Sequence, residues 1–82
     1  MLVMILEKAP TSLRGALSRW LLELKPGVFL GNPTTRVRDE LWTKACQKIK
    51  EGNVLQMWTA RNAQGFEYRQ NGLSYRMALS EA

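Results

Sequence analysis

The sequence predicts an α/β sandwich, with two helices packed on a mainly antiparallel sheet of four to five strands. Three observations predict it. Strand-length apolar or alternating runs are interleaved with two stretches of helical period. Proline and glycine punctuate most boundaries between those runs. Eighty-two residues, 45% of them apolar, supply one core and no room for a second domain.

The elements follow in chain order. Leu2 to Leu6 is an unbroken apolar run ending at Glu7, which suits a central strand covered on both faces. Pro10 breaks the chain, and Thr11 or Ser12 can cap a helix beginning near Leu13. Its stripe is Leu13, Leu17, Trp20, Leu21 and Leu24, and Lys25-Pro26-Gly27 stops it. Val28 to Leu30 makes a short second strand closed by Gly31. Asn32-Pro33 turns the chain, and Thr34 or Thr35 caps a second helix over about Thr35 to Lys50. Val37, Leu41, Ala45 and Ile49 form its inner stripe, with Trp42 and Cys46 on the flanks. Lysines near its end suit the helix dipole. Asn53 to Ala60 is the third strand, with Val54, Gln56, Trp58 and Ala60 on one face and Leu55, Met57 and Thr59 on the other. After the polar turn Arg61 to Gly65, Phe66 to Gln70 is the fourth, with Phe66 and Tyr68 opposite Glu67 and Arg69. Asn71-Gly72 is a tight turn, and Leu73 to Arg76 can add a short strand. This order fits a split βαβ, ferredoxin-like sandwich, except that one strand is missing between the helices.

Twelve Lys or Arg against seven Asp or Glu leave a charge of +5, which favours an anionic partner, most often nucleic acid. With no histidine, His-based metal sites, His general bases and Ser-His triads are excluded. One cysteine, Cys46, makes neither an intrachain disulfide nor a zinc knuckle and reads as an inert small residue. With no signal-like start and no long apolar span, the expectation is a cytoplasmic protein without a membrane partner. So short a chain buries only about 60–65% of its extended surface, which leaves self-association open.

Candidate residues fall into two sets. Glu7 ends the central strand, where α/β folds commonly place ligands. In a twofold dimer two copies can approach one divalent cation, although a strand-ending glutamate is ordinarily solvated. Ser12 and Arg14 start the first helix, where free amides, the dipole and a guanidinium can cradle a backbone phosphate. Arg36 and Arg38 repeat the arrangement on the second helix. Lys25, Arg61, Arg69 and Arg76 can widen a basic surface, whose contacts would position a backbone rather than read bases. Trp20, Trp42 and Trp58 read as core or interface residues.

These residues also carry a resemblance. Glu7, Pro10, Leu13-Arg14-Gly15, Trp20-Leu21-Leu22-Glu23, Gly27 to Gly31, Val37-Arg38, Trp42, Glu51-Gly52-Asn53-Val54 and Gly65-Phe66-Glu67 stand in register with one family. Over about residues 1 to 76 the chain resembles the small CRISPR-associated adaptation protein Cas-two, in its type I-E form. The resemblance implies a ferredoxin-like homodimer that bridges two dimers of the CRISPR integrase Cas-one. It also implies that the complex holds a double-stranded protospacer and inserts it into the repeat array. Ser12, Arg14, Arg36, Arg38 and Arg76 then look like residues gripping the duplex backbone, with Lys25 at a position that tends to be basic. The adaptor role requires no cofactor. The alternative it implies is an endonuclease, a hydrolase with Glu7 as both catalytic and metal residue and magnesium as cofactor. A general basic nucleic-acid-binding dimer is a further alternative. The expectation is one domain over residues 1–76. The tail 77–82 lacks the final strand by which relatives hold the integrase, which implies a truncated chain and puts integrase binding in doubt.

Overall fold

The structure is a computed structural model and describes residues 1–72; the expectations placed on Leu73 to Ala82, including Arg76 and the tail, lie outside the described residues. Seven elements follow one another: β1 (Leu2–Glu7), α1 (Thr11–Ser18), β2 (Leu22–Lys25), β3 (Val28–Gly31), α2 (Thr35–Lys48), β4 (Asn53–Thr59) and β5 (Phe66–Asn71). The strands form one sheet in the order β2-β3-β1-β4-β5, and every pairing is antiparallel. Two helices on a five-stranded antiparallel sheet make the ferredoxin-like sandwich that the element order predicts.

The missing strand lies inside the predicted first helix. That helix stops at Ser18, and Leu22–Lys25 pairs with β3 instead. The apolar pattern from Trp20 onward satisfies both periods, because Trp20, Leu22 and Leu24 alternate with Leu21 and Glu23. What decides between them is the hairpin. Pro26 presets the turn, and Gly27, at φ +84, supplies the left-handed residue that follows it. Lys25 then pairs with Val28 and Leu22 with Leu30, with one irregularity between Glu23 and Lys25. The Glu23 carboxylate accepts the Gly27 amide at 3.0 Å and fastens the turn from inside.

Both helices lie on one face of the sheet. Leu2, Met4 and Leu6 of β1, Phe29 of β3 and Val54 of β4 point into that layer. They meet Leu13 and Leu17 of α1, Leu21, Leu41 and Ala45 of α2, and Ile49. Each such aliphatic or aromatic side chain contributes roughly 1.5–3 kcal/mol on burial, so this one cluster holds the fold. Trp20, expected on the inner stripe, stands 58% exposed beyond the end of α1. On α2, Thr34 is the N-cap, and its hydroxyl accepts the Val37 amide.

Candidate nucleic-acid interface

Glu7 ends β1 opposite Asn53, and its carboxylate accepts a hydrogen bond from Asn53 Nδ2 at 2.9 Å. Glycine at position 52 allows the chain leaving α2 to lie directly against this strand end. A Cβ there would collide with the carbonyl oxygen of Glu7 and come within 3.0 Å of that of Lys8. Lys8 turns the backbone out of β1 in the left-handed region, at φ +58, a conformation that side-chain-bearing residues seldom adopt. Among the described residues no three or more His, Cys, Asp or Glu side chains gather to hold a metal ion.

The start of α1 lies beyond. Pro10 is the N-cap and gives no side-chain cap; its carbonyl accepts the Leu13 and Arg14 amides, so the Thr11 and Ser12 amides are the ones left open to solvent or a ligand. Ser12 is exposed in this first turn. Arg14 is half-buried, and its Nε and Nη2 donate to Glu23 Oε2 at 3.1 and 2.9 Å. The Gly27 amide, and secondarily Arg14, hold the Glu23 carboxyl below its ordinary pKa. Arg14 therefore presents only part of its donor fork outward. A cleft of about 280 Å³ runs between Arg14 and the turn, lined by Leu6, Lys8, Ala9, Pro26 and Gly27. Lys25 is exposed next to that turn.

Arg36 and Arg38 part company on α2, because residues two apart project on different sides of a helix. The Arg36 side chain is 88% exposed and reaches Glu40 at 3.2 Å. Arg38 turns inward, with its guanidinium 4.1 Å from the centre of the Trp58 ring and its Nε donating to Asp39. Arg69 of β5 joins from the sheet. Its Nη2 donates to Asp39 Oδ1 at 2.8 Å and its Nε to Gln56 Oε1 at 2.8 Å. It also lies 5.0 and 5.1 Å from the Trp42 and Trp58 rings. Gln56, fully buried, completes the knot by donating to the Arg38 carbonyl at 2.9 Å. Among the described residues no hydrogen bond or ion pair joins the Arg14 group to the Arg36 and Arg38 group.

Among the described residues the opposite face of the sheet carries no helix. Val3 and Ile5 stand there beside Leu30 and Val28 on one side and Met57 and Leu55 on the other. Leu22 lies across from Leu30, and Tyr68 across from Met57. Leu22 is 64% exposed and Tyr68 43%. The apolar strip spans all five strands, and Phe66, 6.5 Å from the Tyr68 ring, extends it along β5.

A family model described as CRISPR-associated protein (Cas_Cas2CT1978) matches residues 1–80. The chain belongs to this Cas-two family. The match supports a Cas-two-like protein with a role in CRISPR, in agreement with the resemblance read from the residues. No helix among the described residues is long and apolar enough to cross a membrane.

Sequence reasoning on this Cas-two family chain missed the knot around Asp39. The signal was present, since Gln56 is polar on the inward face of β4 and Arg69 shares a face with it across β5. It also passed over Lys8, whose significance depends on a backbone angle that no residue pattern reveals.

Proposed function

We propose that the chain is a non-catalytic homodimeric adaptor of the type I-E spacer-acquisition complex. It bridges Cas-one integrase dimers in the cytoplasm and holds protospacer duplex DNA by its phosphates. The uncovered sheet face carries this reading. β1 is apolar on both sides, yet the helices among the described residues cover only one, so a second copy stacked on Val3, Ile5, Leu30 and Met57 would cover the other. Stacking sheet to sheet leaves the helices, with Ser12, Arg14 and Arg36 at their starts, on the outer surfaces available to a duplex. Lys25 extends that surface. Arg38 points to another side of the helix, and its guanidinium is engaged by Asp39 and Trp58, so Arg36 is the residue of the pair left to meet a phosphate.

A Glu7-centred, magnesium-dependent nuclease is the second reading, favoured by Glu7 being exposed at the end of the central strand. The residues fit a metal sparsely, with one carboxylate already bonded to Asn53, so a partner subunit would have to complete the ligand set. Light scattering on size exclusion decides between the readings, with the chain alone and then with a Cas-one integrase and a short duplex. The adaptor reading expects a dimer that enters one larger assembly, unchanged in the Glu7→Ala variant. A chain that stays apart from integrase and duplex, or cleavage that needs both Glu7 and magnesium, would overturn it.

A further inference from the structure

Among the described residues all four arginines with ion-pair partners sit in the groups above, and no lysine has one. Three of the lysines converge. Lys8, Lys48 and Lys50 line one cleft of about 360 Å³ with Ala9, Pro10 and Glu51. Lys48 ends α2, Lys50 follows it, and Lys8 leaves β1, so the three come from two connections far apart in sequence. Gly52 brings those connections together by packing without a side chain on the carbonyls of Glu7 and Lys8. The cleft meets the one beside Arg14, because Lys8 and Ala9 line both.

We propose that this lysine cleft is a phosphate-binding ledge that carries the DNA backbone past Arg14 and around the end of the sheet to Lys48 and Lys50. The assignment rests on the duplex-binding reading above and adds a contact surface to it. Helix-dipole compensation accounts for Lys48 and for Lys50 just beyond it, but not for Lys8, which lies on another element. Nor does local folding favour lysine at position 8, since glycine adopts φ +58 without strain. Three exposed ammonium groups against the single carboxylate of Glu51 leave the cleft positive, and its size admits a phosphodiester with its hydration.

The ledge is tested by the salt dependence of binding to a fluorescent DNA duplex. The Lys8→Gln/Lys50→Gln variant is compared with the charge-matched Arg19→Gln/Gln64→Glu variant. Arg19 caps the far end of α1, and Gln64 lies in the turn at the other end of β4. Each lost phosphate contact lowers the slope of log K against log salt by about 0.9, so the ledge variant should lose close to two such steps and the control almost none. Lys8→Gly, which suits the backbone, should lose one step with its melting temperature kept. Equal slopes for wild type, ledge variant and control would overturn the ledge and leave the adaptor reading standing. Absence of any salt-dependent binding by wild type would overturn both.

Discussion

Asp39 holds two guanidinium groups with one carboxylate oxygen, and both arginines lie against the Trp58 ring. The hydrogen bond from Arg69, then that from Arg38, hold the Asp39 carboxyl below its ordinary pKa. A carboxyl depressed in the folded state stabilises the fold above its unfolded pKa, and that contribution fades as pH falls through the folded value. The Asp39→Asn variant should therefore melt below wild type at neutral pH. The gap should close as the solution is acidified through and below the ordinary carboxylate range. Melting temperatures of both proteins across that range check this, and a gap that stays constant into strong acid would show that the charge of Asp39 is not what matters. Arg36 offers the contrast within the same helix. Its exposed pair with Glu40 is an i,i+4 contact of the kind that contributes only a few tenths of a kcal/mol.

Between elements, Gln56 does the joining: it accepts from Arg69 on β5 and donates to the Arg38 carbonyl on α2 while lying within β4. Replacing it by leucine keeps the volume and strands both partners. Gln56→Leu should cost about 1–3 kcal/mol in urea unfolding, the penalty for polar groups left without a partner. An unchanged midpoint and slope would mean that Arg69 and the carbonyl find water instead. Such joints were only half legible in the sequence. β1 is legible as an unbroken apolar run of strand length, and α2 and β4 because each keeps one dominant period, with Val54, Gln56 and Trp58 alternating as the structure has them. The pattern misleads where leucines satisfy two periods at once, and the helical period extends the first helix across Trp20 to Leu24. Proline and glycine at positions 26 and 27 suit a helix stop equally well, but here they form a hairpin whose near arm is β2. The candidate site was legible as residue types and not as partnerships. Arg14 stands out in the sequence as a basic residue near a helix start, but Glu23, nine positions away, becomes its partner only once β2 folds back.

For the whole molecule, the adaptor reading makes the one-sided sheet the seat of self-association. The Ile5→Lys/Met57→Lys variant places two charges at the centre of the open face without touching the helix-side core. If two copies stack there, wild type should elute as a dimer and this variant as a monomer with the same far-ultraviolet circular dichroism. A variant that remains dimeric would move the dimer contact to another surface. Stacking there would also take this apolar strip out of water, so the monomeric variant should be the less stable of the two.

The order of the strands has a consequence for the birth of the chain on the ribosome. β1 lies between β3 and β4, so its two neighbours arrive at different times: Val28–Gly31 early and Asn53–Thr59 late. Until residue 59 has been made, β1, the most apolar strand among the described residues, has one bare hydrogen-bonding edge. Nascent chains crowded on one messenger would share that edge, and strands left open in this way invite pairing between chains. Synthesis that stalls within α2 would expose the hazard for longest, and the arrival of β4 ends it by sealing the centre of the sheet.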